Sequence, residues 1–315
     1  MTDKPVVSAI IPTYNRAHTL RETVDSALGQ TYSAVEVVVV DDGSTDETSD
    51  ILENLPNEVV VVRQANGGVS SARNAGIDAS SGSIVMFLDS DDLWLPHAVT
   101  TQVGILEAAG TSAPCSMCDL VMRAPDGTEV TMFADRRLRP DRRFGRWTNV
   151  QDVLTSRFLF TNQTLALRRS ALDAAGPFDE SLWVMEDFDL ALRLSALGAW
   201  AFTDEVLAIR RDGSANSLTS IAMGQPERLH QTTLAICDKA RSAGILTSTR
   251  AKRANAYMAR KASRAAKRAV ATGRGTGLML DVQSFIEQGV VERAYRNSPL
   301  YPRLESTPLM RKIIP

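Results

Sequence analysis

The chain is poor in cysteine and contains no long apolar run. Its three cysteines, Cys115, Cys118 and Cys237, are an odd and sparse set, which favours reduced thiols and a cytoplasmic protein over a disulfide framework. Cys115 and Cys118 form a CxxC pair, but neither a second pair nor a nearby histidine completes a zinc site. No stretch approaches the roughly 20 apolar residues of a membrane span, and the first residues show no signal-peptide pattern.

Neither sign of charge dominates the chain as a whole. It has 35 lysines and arginines against 37 aspartates and glutamates, so the overall balance does not indicate a nucleic-acid partner. Two segments are locally basic. Residues 135–146 hold six arginines, which suits either an exposed, solvated loop or a lid that contacts anionic groups of an acceptor. Residues 241–274 hold ten basic and no acidic residues, which suits a packed helical appendage, a contact between subunits or a peripheral contact with anionic lipid.

Apolar runs alternate with helical patterns through the first third of the chain. This alternation predicts an α/β fold with a parallel, doubly wound sheet flanked by helices. From about residue 225 onward the composition is helical. We therefore expect a catalytic domain over residues 1–224, with a nucleotide-binding half (1–96) and an acceptor half (97–224), followed by a C-terminal helical region (225–315). The predicted strands of the first half span residues 6–12, 35–40, 59–62 and 83–88, and its helices 19–28, 47–55 and 70–79.

Polar clusters follow three of these predicted strands. They are Pro12–Asn15, Asp41–Asp42 and Asp89–Asp92, and the carboxyl ends of parallel strands are where such sheets bind ligands. The last cluster has three carboxylates within four residues. Carboxylates this close repel unless a cation or a set of donors holds them, so the cluster suggests a divalent metal that grips phosphate.

Four segments in order resemble the inverting family 2 glycosyltransferases, which have the GT-A fold. The resemblance covers about residues 5–220. A single DxD triplet would be weak support, but the four segments together are specific. They are residues 8–16 (SAIIPTYNR), 38–46 (VVVDDGSTD), 71–76 (SARNAG) with 87–92 (FLDSDD), and 176–180 (GPFDE) with 186–190 (EDFDL).

The resemblance implies a nucleotide-sugar donor site, with UDP as the expected nucleotide. Asp42 matches the carboxylate that accepts a hydrogen bond from the base, and Tyr14 matches the aromatic residue that lies against it. Pro12 would shape the same pocket. Ser90 belongs to the donor-binding loop. Arg73 either reaches the donor or forms an ion pair on a helix surface.

The resemblance also implies a metal and a catalytic base. Asp91 matches a direct ligand of Mn²⁺ or Mg²⁺, and Asp89 matches a residue that contacts the ribose or a water on the metal. Asp187 matches the base that takes a proton from the acceptor hydroxyl. Glu186 would orient the acceptor or tune the pKa of Asp187. The alternative for this last pair is an ordinary acidic first turn of a helix.

The chain departs from the family pattern in places. Many members carry a histidine in the segment matching residues 210–214, where Asp212 stands here; that puts a third protein ligand in doubt, and His230 is too distant along the chain to be assumed a substitute. The chain also lacks a Gln-x-x-Arg-Trp motif and membrane spans, which in this family are associated with processive synthases. We therefore expect an enzyme that adds a single sugar.

The sequence thus predicts a metal-dependent, inverting hexosyltransferase of cell-surface glycan or polysaccharide biosynthesis. Its acceptor would be a saccharide, a lipid-linked sugar or a polymer. A location in the cytoplasm or on the inner face of the plasma membrane is expected, with a homo-oligomer left open. The alternatives are a nucleotidyltransferase, which would be expected to show a glycine-rich basic phosphate loop, and a non-catalytic scaffold that binds nucleotide sugars.

Overall fold

The computed structural model describes residues 4–123, 126–211, 221–222 and 224–258. The chain divides into two compact units, Met1–Gly213 and Ser214–Pro315. The first unit is an α/β domain. Its strands are β1 Val7–Thr13, β2 Val35–Asp41, β3 Val59–Arg63, β4 Ile84–Phe87, β5 Leu93–Trp94, β6 Cys115–Arg123, β7 Glu129–Thr131, β8 Phe144–Trp147, β9 Leu165–Arg168 and β10 Trp200–Arg211. Its helices are α1 Leu20–Leu28, α2 Thr48–Glu53, α3 Val69–Asp78, α4 Ala98–Ala108, α5 Met132–Asp135, α6 Val150–Arg157, α7 Arg169–Ala175 and α8 Glu186–Ser195.

One mixed sheet joins the strands in the order β3-β2-β1-β4-β9-β6-β10-β5. The predicted parallel arrangement is confirmed for β3, β2, β1 and β4. The sheet is mostly parallel, as expected for the GT-A fold, and β9 is an exception that runs antiparallel to both β4 and β6. The strand β10 is again parallel to β6, so β4, β6 and β10 all point their carboxyl ends the same way.

The central strands form the core of this unit. All seven residues of β1, the last five of β2 and all four of β4 are buried. Helices cover the sheet, so these strands read as continuous apolar runs instead of alternating ones. The buried strands therefore form a fixed frame, and the polar loops that follow them begin at its edge.

The arginine-rich segment 135–146 is more ordered than the loop expected from its sequence. Residues Phe144–Trp147 form β8, which pairs antiparallel with β10. Trp147 stacks on Phe202 of β10 with ring centroids 4.6 Å apart. This aromatic contact lies across the strand pair, and charge composition alone could not predict it. The strands β6 and β7 pair antiparallel with each other.

The second unit is helical where it is described. Helix α9 spans Pro226–Ser242, and the chain is helical again over residues 248–258. Buried residues of this unit include His230, Cys237 and Ala254. Within the described ranges, no helix has the length and apolar character to cross a membrane. Residues 259–274 of the basic segment lie outside the described residues.

The packing of α3 on the sheet leaves no room at Gly76. A Cβ atom there would lie 2.3 Å from Ile10 Cγ2 and 3.2 Å from Val40 Cγ2. By contrast, a Cβ atom at Gly104, an exposed position in α4, would meet nothing within 4 Å. We expect Gly76→Ala to lower the free energy of unfolding by about 1–3 kcal/mol because it overpacks the interface of α3 with β1 and β2.

Gly104→Ala is the matched control, and it should raise the free energy of unfolding by about 0.5–1 kcal/mol because it restricts the unfolded chain. Urea unfolding of both variants measures the two changes. Equal effects of the two substitutions would contradict this packing of α3.

Candidate functional site

The sheet register brings three polar loops to one edge. Thr13 pairs with Asp41, and Asp41 pairs with Arg63, so β1, β2 and β3 end level. Beside them, the amide of Leu88 donates to the carbonyl of Ile10 at 3.0 Å, which aligns the end of β4. The three clusters that follow β1, β2 and β4 in the sequence therefore meet at this edge.

The loop after β1 is held rigidly to the loop after β2. The amide of Asn15 donates to Ser44 Oγ at 3.0 Å, and Asn15 Oδ1 accepts from the amide of Thr45 at 2.8 Å. Asn15 itself is left-handed, with φ of 51°. Pro12 is buried at the end of β1, whereas Tyr14 is 44% exposed. The ring of Tyr14 is therefore accessible for stacking on a flat ligand.

Asp42 is buried and already holds part of the site in place. Its Oδ1 accepts from Gln64 Nε2 and from the amide of Gly67, and its Oδ2 accepts from the amide of Gly68, each at 2.8 Å. A carboxylate has about four acceptor positions. Two are used by the glycine loop before α3 and one by the side chain of Gln64, so one position is left.

Each carboxylate of the DxD triplet pairs with an arginine. Asp89 Oδ1 lies 2.8 Å from Arg73 Nη2, and Asp91 Oδ2 lies 3.3 Å from Arg16 Nε. Burial and the nearby charge of Asp89 raise the pKa of Asp91, while Arg16 opposes that shift. Ser90, between them, is buried, and its carbonyl accepts from the hydroxyls of Thr19 and Thr23. The loop is thereby fixed to α1.

Asp92, the third acidic residue, is used inside the protein. Its Oδ2 accepts from Gln163 Nε2 at 2.5 Å, and its Oδ1 accepts from the amide of Arg211 at 3.0 Å. Burial, followed by the charges of Asp89 and Asp91, raises the pKa of Asp92 well above its ordinary range. Its side chain connects the acidic loop to the end of β10, so Asp92 supports the loop.

Two carboxylates at this edge suit a hard divalent cation. Among the residues that the structure describes, no group of three or more histidine, cysteine or acidic side chains could hold a metal. Asp89 and Asp91 would thus supply two oxygen ligands, and the remainder would come from a bound diphosphate and water, as is usual for Mg²⁺. Asp212, the residue in place of the family histidine, lies outside the described residues.

Arg73 connects the DxD loop to the first turn of α8. It projects from α3, and only 3% of its surface is exposed. Its Nη1 lies 2.6 Å from Glu186 Oε1, while its Nη2 holds Asp89. The guanidinium also lies 5.3 Å from the ring centroid of Phe178. The two carboxylates raise the pKa of Arg73 despite its burial, so the arginine is a fixed positive charge between them.

Helix α8 begins at the candidate base. Met185, the residue before it, is left-handed with φ of 69°, and Glu186 and Asp187 form the first turn. The amide of Phe188 donates to Asp187 Oδ1 at 2.8 Å. Burial and the adjacent Glu186 raise the pKa of Asp187 to about 8, and the charge of Arg73 opposes them. A carboxylate with its pKa near neutrality is suited to accept a proton.

Asn74 fixes the turn that precedes this helix. Its Nδ2 donates to the carbonyl of Phe178 and to Glu180 Oε1, and its Oδ1 accepts from the amide of Phe178, all within 3.0 Å. The ring of Phe178 packs edge-on against Phe87 of β4, with centroids 5.1 Å apart. These contacts hold the start of α8 beside the ends of the central strands.

The structure thus brings Asp89, Arg73 and Glu186 into direct contact and places Asp187 next to them. Three further residues act in the site that sequence reasoning did not assign to it. Gln64 follows β3 at the same sheet edge, so the strand-end rule could have found it. Arg16 pairs with Asp91, and Arg211 Nε donates to the carbonyl of Asp91 at 2.6 Å; no spacing in the sequence signals either contact.

Comparison with known proteins now identifies the family. The family described as "Glycosyl transferase family 2" matches residues 8–173. An uncharacterised glycosyltransferase of Rickettsia prowazekii is 32% identical over 226 residues, which cover 71% of this chain and 69% of that protein. The chain belongs to glycosyltransferase family 2. It is therefore an enzyme, and the nucleotidyltransferase and scaffold alternatives are set aside.

Other relatives are more distant or match a shorter part. The Escherichia coli protein WfaP, named UDP-Glc:alpha-D-GlcNAc-diphosphoundecaprenol beta-1,3-glucosyltransferase, is 38% identical over 104 residues, or 32% of this chain and 41% of its own. Solved structures confirm the GT-A fold.

The structure of TarS 1-349 of S. aureus with UDP-GlcNAc is 21% identical in sequence, with a TM-score of 0.66. The match covers 98% of this chain and 90% of that chain. The mannosyltransferase PcManGT of Pyrobaculum calidifontis, with GDP-Man and Mn²⁺, is 20% identical with a TM-score of 0.59 and covers 99% and 85%.

The pairing of Arg73 with two carboxylates predicts a large effect of its removal. Arg73→Met should lower the free energy of unfolding by about 3–5 kcal/mol, because it leaves the buried charge of Glu186 without its partner. Urea unfolding without divalent metal measures the change.

The double variant Arg73→Met/Glu186→Gln provides the control for this prediction. It should be more stable than Arg73→Met alone, since the unpaired buried charge is gone. Strictly additive losses from the two substitutions would show that the pair is not coupled.

Proposed function

We propose that the protein is a metal-dependent, inverting, single-addition glycosyltransferase that moves a hexose from a UDP-sugar to an acceptor hydroxyl. The observation that carries this proposal is the bridge made by Arg73. It joins Asp89 of the DxD triplet to Glu186, which adjoins Asp187. The diphosphate of the donor and the carboxylate that accepts the proton would therefore lie in the same charged cluster. A direct displacement requires them to be this close.

The donor-binding residues support a nucleotide with an N–H in its base. Asp42 keeps one acceptor position for that N–H, and the accessible ring of Tyr14 would stack on the base, a contact worth about 1–3 kcal/mol. UDP is the proposed nucleotide because WfaP is named for UDP-Glc and TarS was solved with UDP-GlcNAc. The neighbour with GDP-Man makes GDP-sugars the comparison to include in any test.

Asp89 and Asp91 would hold the cation, either Mn²⁺ or Mg²⁺. When bound, the cation would neutralise the negative charge that builds on the departing diphosphate. Two of the neighbouring structures contain Mn²⁺, which supports a divalent metal here. Arg16 and Arg73 pair with the two carboxylates and would orient them before the metal arrives.

Asp187 would act as the general base. Its carboxylate takes the proton from the acceptor hydroxyl as that oxygen attacks the anomeric carbon. The bond from the anomeric carbon to the diphosphate oxygen breaks on the opposite side, and its electron pair leaves with the nucleoside diphosphate. One displacement inverts the anomeric configuration. Glu186 orients the acceptor and raises the pKa of Asp187.

Cell-surface glycan synthesis is the proposed setting. The name of WfaP includes a diphosphoundecaprenol acceptor, which supports a saccharide on a lipid or a polymer as the acceptor of this enzyme. A cytoplasmic or peripheral membrane location, contact of segment 241–274 with anionic lipid, and assembly into a homo-oligomer stay predictions.

The decisive experiment measures transfer and stereochemistry together. With a panel of UDP- and GDP-sugars, Mn²⁺ and a lipid-linked or soluble saccharide acceptor, we expect one UDP-sugar to be used. Proton NMR of the initial product should show the anomeric configuration opposite to that of the donor. Asp187→Asn should lower kcat by about 10²–10⁴-fold, because the amide cannot accept the proton.

Asp173→Asn, an acidic residue of α7 away from the cluster, serves as the control and should keep the wild-type rate. Retained configuration in the product, or full activity of Asp187→Asn, would refute the proposed displacement.

The pH dependence tests the pairing of Glu186 with Asp187. Since Asp187 must be ionised to act, kcat/KM should rise with pH through its pKa of about 8. Glu186→Gln removes a repelling charge and leaves the charge of Arg73 less balanced. Both changes lower the pKa of Asp187, so the acid limb of the profile should move to lower pH. A profile that stays in place or moves to higher pH would contradict this assignment.

A further inference from the structure

A cavity lies in the first unit, formed by residues outside the cluster described above. Its volume is about 700 Å³, which is within the usual range for a small-ligand site. It lies between β6, β10 and the segment after α5. Its lining combines apolar and charged side chains: Asp119, Phe133, Arg137, Leu138, Arg139 and Asp204.

Two of the arginines in the basic segment 135–146 are set apart by their surroundings. Arg142 pairs with Asp141, Arg143 pairs with Glu205, and Arg146 donates to Ser112 Oγ. Arg137 and Arg139 are exposed, and within the described ranges their side chains have no ion-pair or hydrogen-bond partner. These two are the arginines that line the cavity.

The backbone at Arg137 shows that folding alone does not favour an arginine there. The amide of Arg137 donates to the carbonyl of Ala134 at 3.0 Å, and the amide of Leu138 donates to the carbonyl of Phe133 at 2.8 Å. These bonds form a Schellman motif that ends α5, and Arg137 occupies its left-handed position with φ of 53°. Glycine is the usual residue at that position because it has no Cβ. An arginine there is better explained by what its side chain binds.

The acidic residues of the lining do not cancel this positive charge. Asp119 is buried, and its carboxylate accepts from the amides of Leu120 and Phe133 at 2.8 and 3.0 Å. Asp204 lies 3.8 Å from Arg143. Both carboxylates thus have donors or a cation of their own, and they can still accept from hydroxyl groups. The guanidinium groups of Arg137 and Arg139, which have no partner among the described residues, are therefore the positively charged part of the lining.

We propose that this cavity binds a phosphate-bearing sugar or polyol unit of the acceptor, with Arg137 and Arg139 on the phosphate. Planar guanidinium groups match phosphate oxygens with paired hydrogen bonds. Phe133 and Leu138 would cover the apolar face of the unit, and Asp204 would accept from its hydroxyls. As the acceptor's subsite, it rests on the function proposed above.

The position of the cavity suits a unit distant from the reacting hydroxyl. Val206 of β10 lines the cavity, and Arg211 at the end of the same strand contacts the acidic loop. The five residues between them span about 16 Å at the usual rise of a strand. The cavity would therefore hold the acceptor chain beyond the sugar that is extended.

The test uses the full chain and glycerol 3-phosphate as the probe, without divalent metal so that the DxD loop contributes little. By calorimetric titration, Arg137→Gly/Arg139→Gln should bind the probe about 100-fold more weakly than the wild type, since two hydrogen-bonding contacts to a charged group are lost. Arg21→Gln/Arg63→Gln removes two exposed arginines, from α1 and from β3. It is the charge-matched control and should bind as the wild type does. Inorganic phosphate should bind more weakly than glycerol 3-phosphate, because it lacks the hydroxyls that Asp204 would bind.

A second measurement separates binding from structure. Arg137→Gly alone should unfold at a temperature equal to or above that of the wild type, because glycine suits the left-handed backbone. Weaker probe binding without a loss of stability supports the proposal. Equal binding of the probe by the wild type and the double variant overturns the proposal, and so does a lower unfolding temperature of Arg137→Gly. Equal binding of phosphate and glycerol 3-phosphate refutes the part of the proposal that concerns the sugar or polyol.

Failure of this proposal and failure of the proposed function give different results. One result is that no nucleotide sugar is used, while the arginine variant binds glycerol 3-phosphate more weakly. That result supports the binding site in the cavity and refutes the proposed transferase reaction. The other result is that transfer occurs and the KM for a phosphate-bearing acceptor is the same in the double variant as in the wild type. That result supports the proposed reaction and refutes the acceptor subsite. With a neutral acceptor, the double variant should keep the wild-type KM.

Discussion

The whole site depends on one buried positive charge. Arg73 is nearly enclosed, and removing a guanidinium from water is costly unless its partners are well placed. Asp89 and Glu186 supply those partners from two segments that are far apart in the sequence. Without Arg73, the acidic residues on the two sides would repel one another. The arginine therefore both stabilises the fold at this edge and sets the spacing between the donor loop and the start of α8.

Strained backbone lies on both sides of this charge. Asn15, in the loop after β1, and Met185, directly before the acidic first turn of α8, are both left-handed. Such a conformation costs a non-glycine residue about 1–2 kcal/mol, and it persists only where neighbours determine it. The hydrogen bonds of Asn15 with Ser44 and Thr45 do so for the loop after β1. The neighbouring contacts therefore fix the conformation of this loop.

Much of this arrangement could be predicted from the sequence, because strand ends and motifs are local features. The edge with Asp42 and Asp89 follows from buried runs that stop at polar residues. The long-range pairings could not be predicted. Arg16 and Asp91 are 75 positions apart, and Gln163 holds Asp92 from the other half of the domain. The strand β8 was missed for the same reason, since the stacking of Trp147 on Phe202 depends on tertiary structure.

Arg73 and Asn74 are consecutive residues of α3, and both reach across the domain. The first holds Glu186, and the second holds the backbone of Phe178. In this protein, a crossover between residues 80 and 170 would separate these two side chains from the turn that they grip. A chimera keeps its active site only when both parents carry the same arginine–asparagine pair and a turn of the same shape.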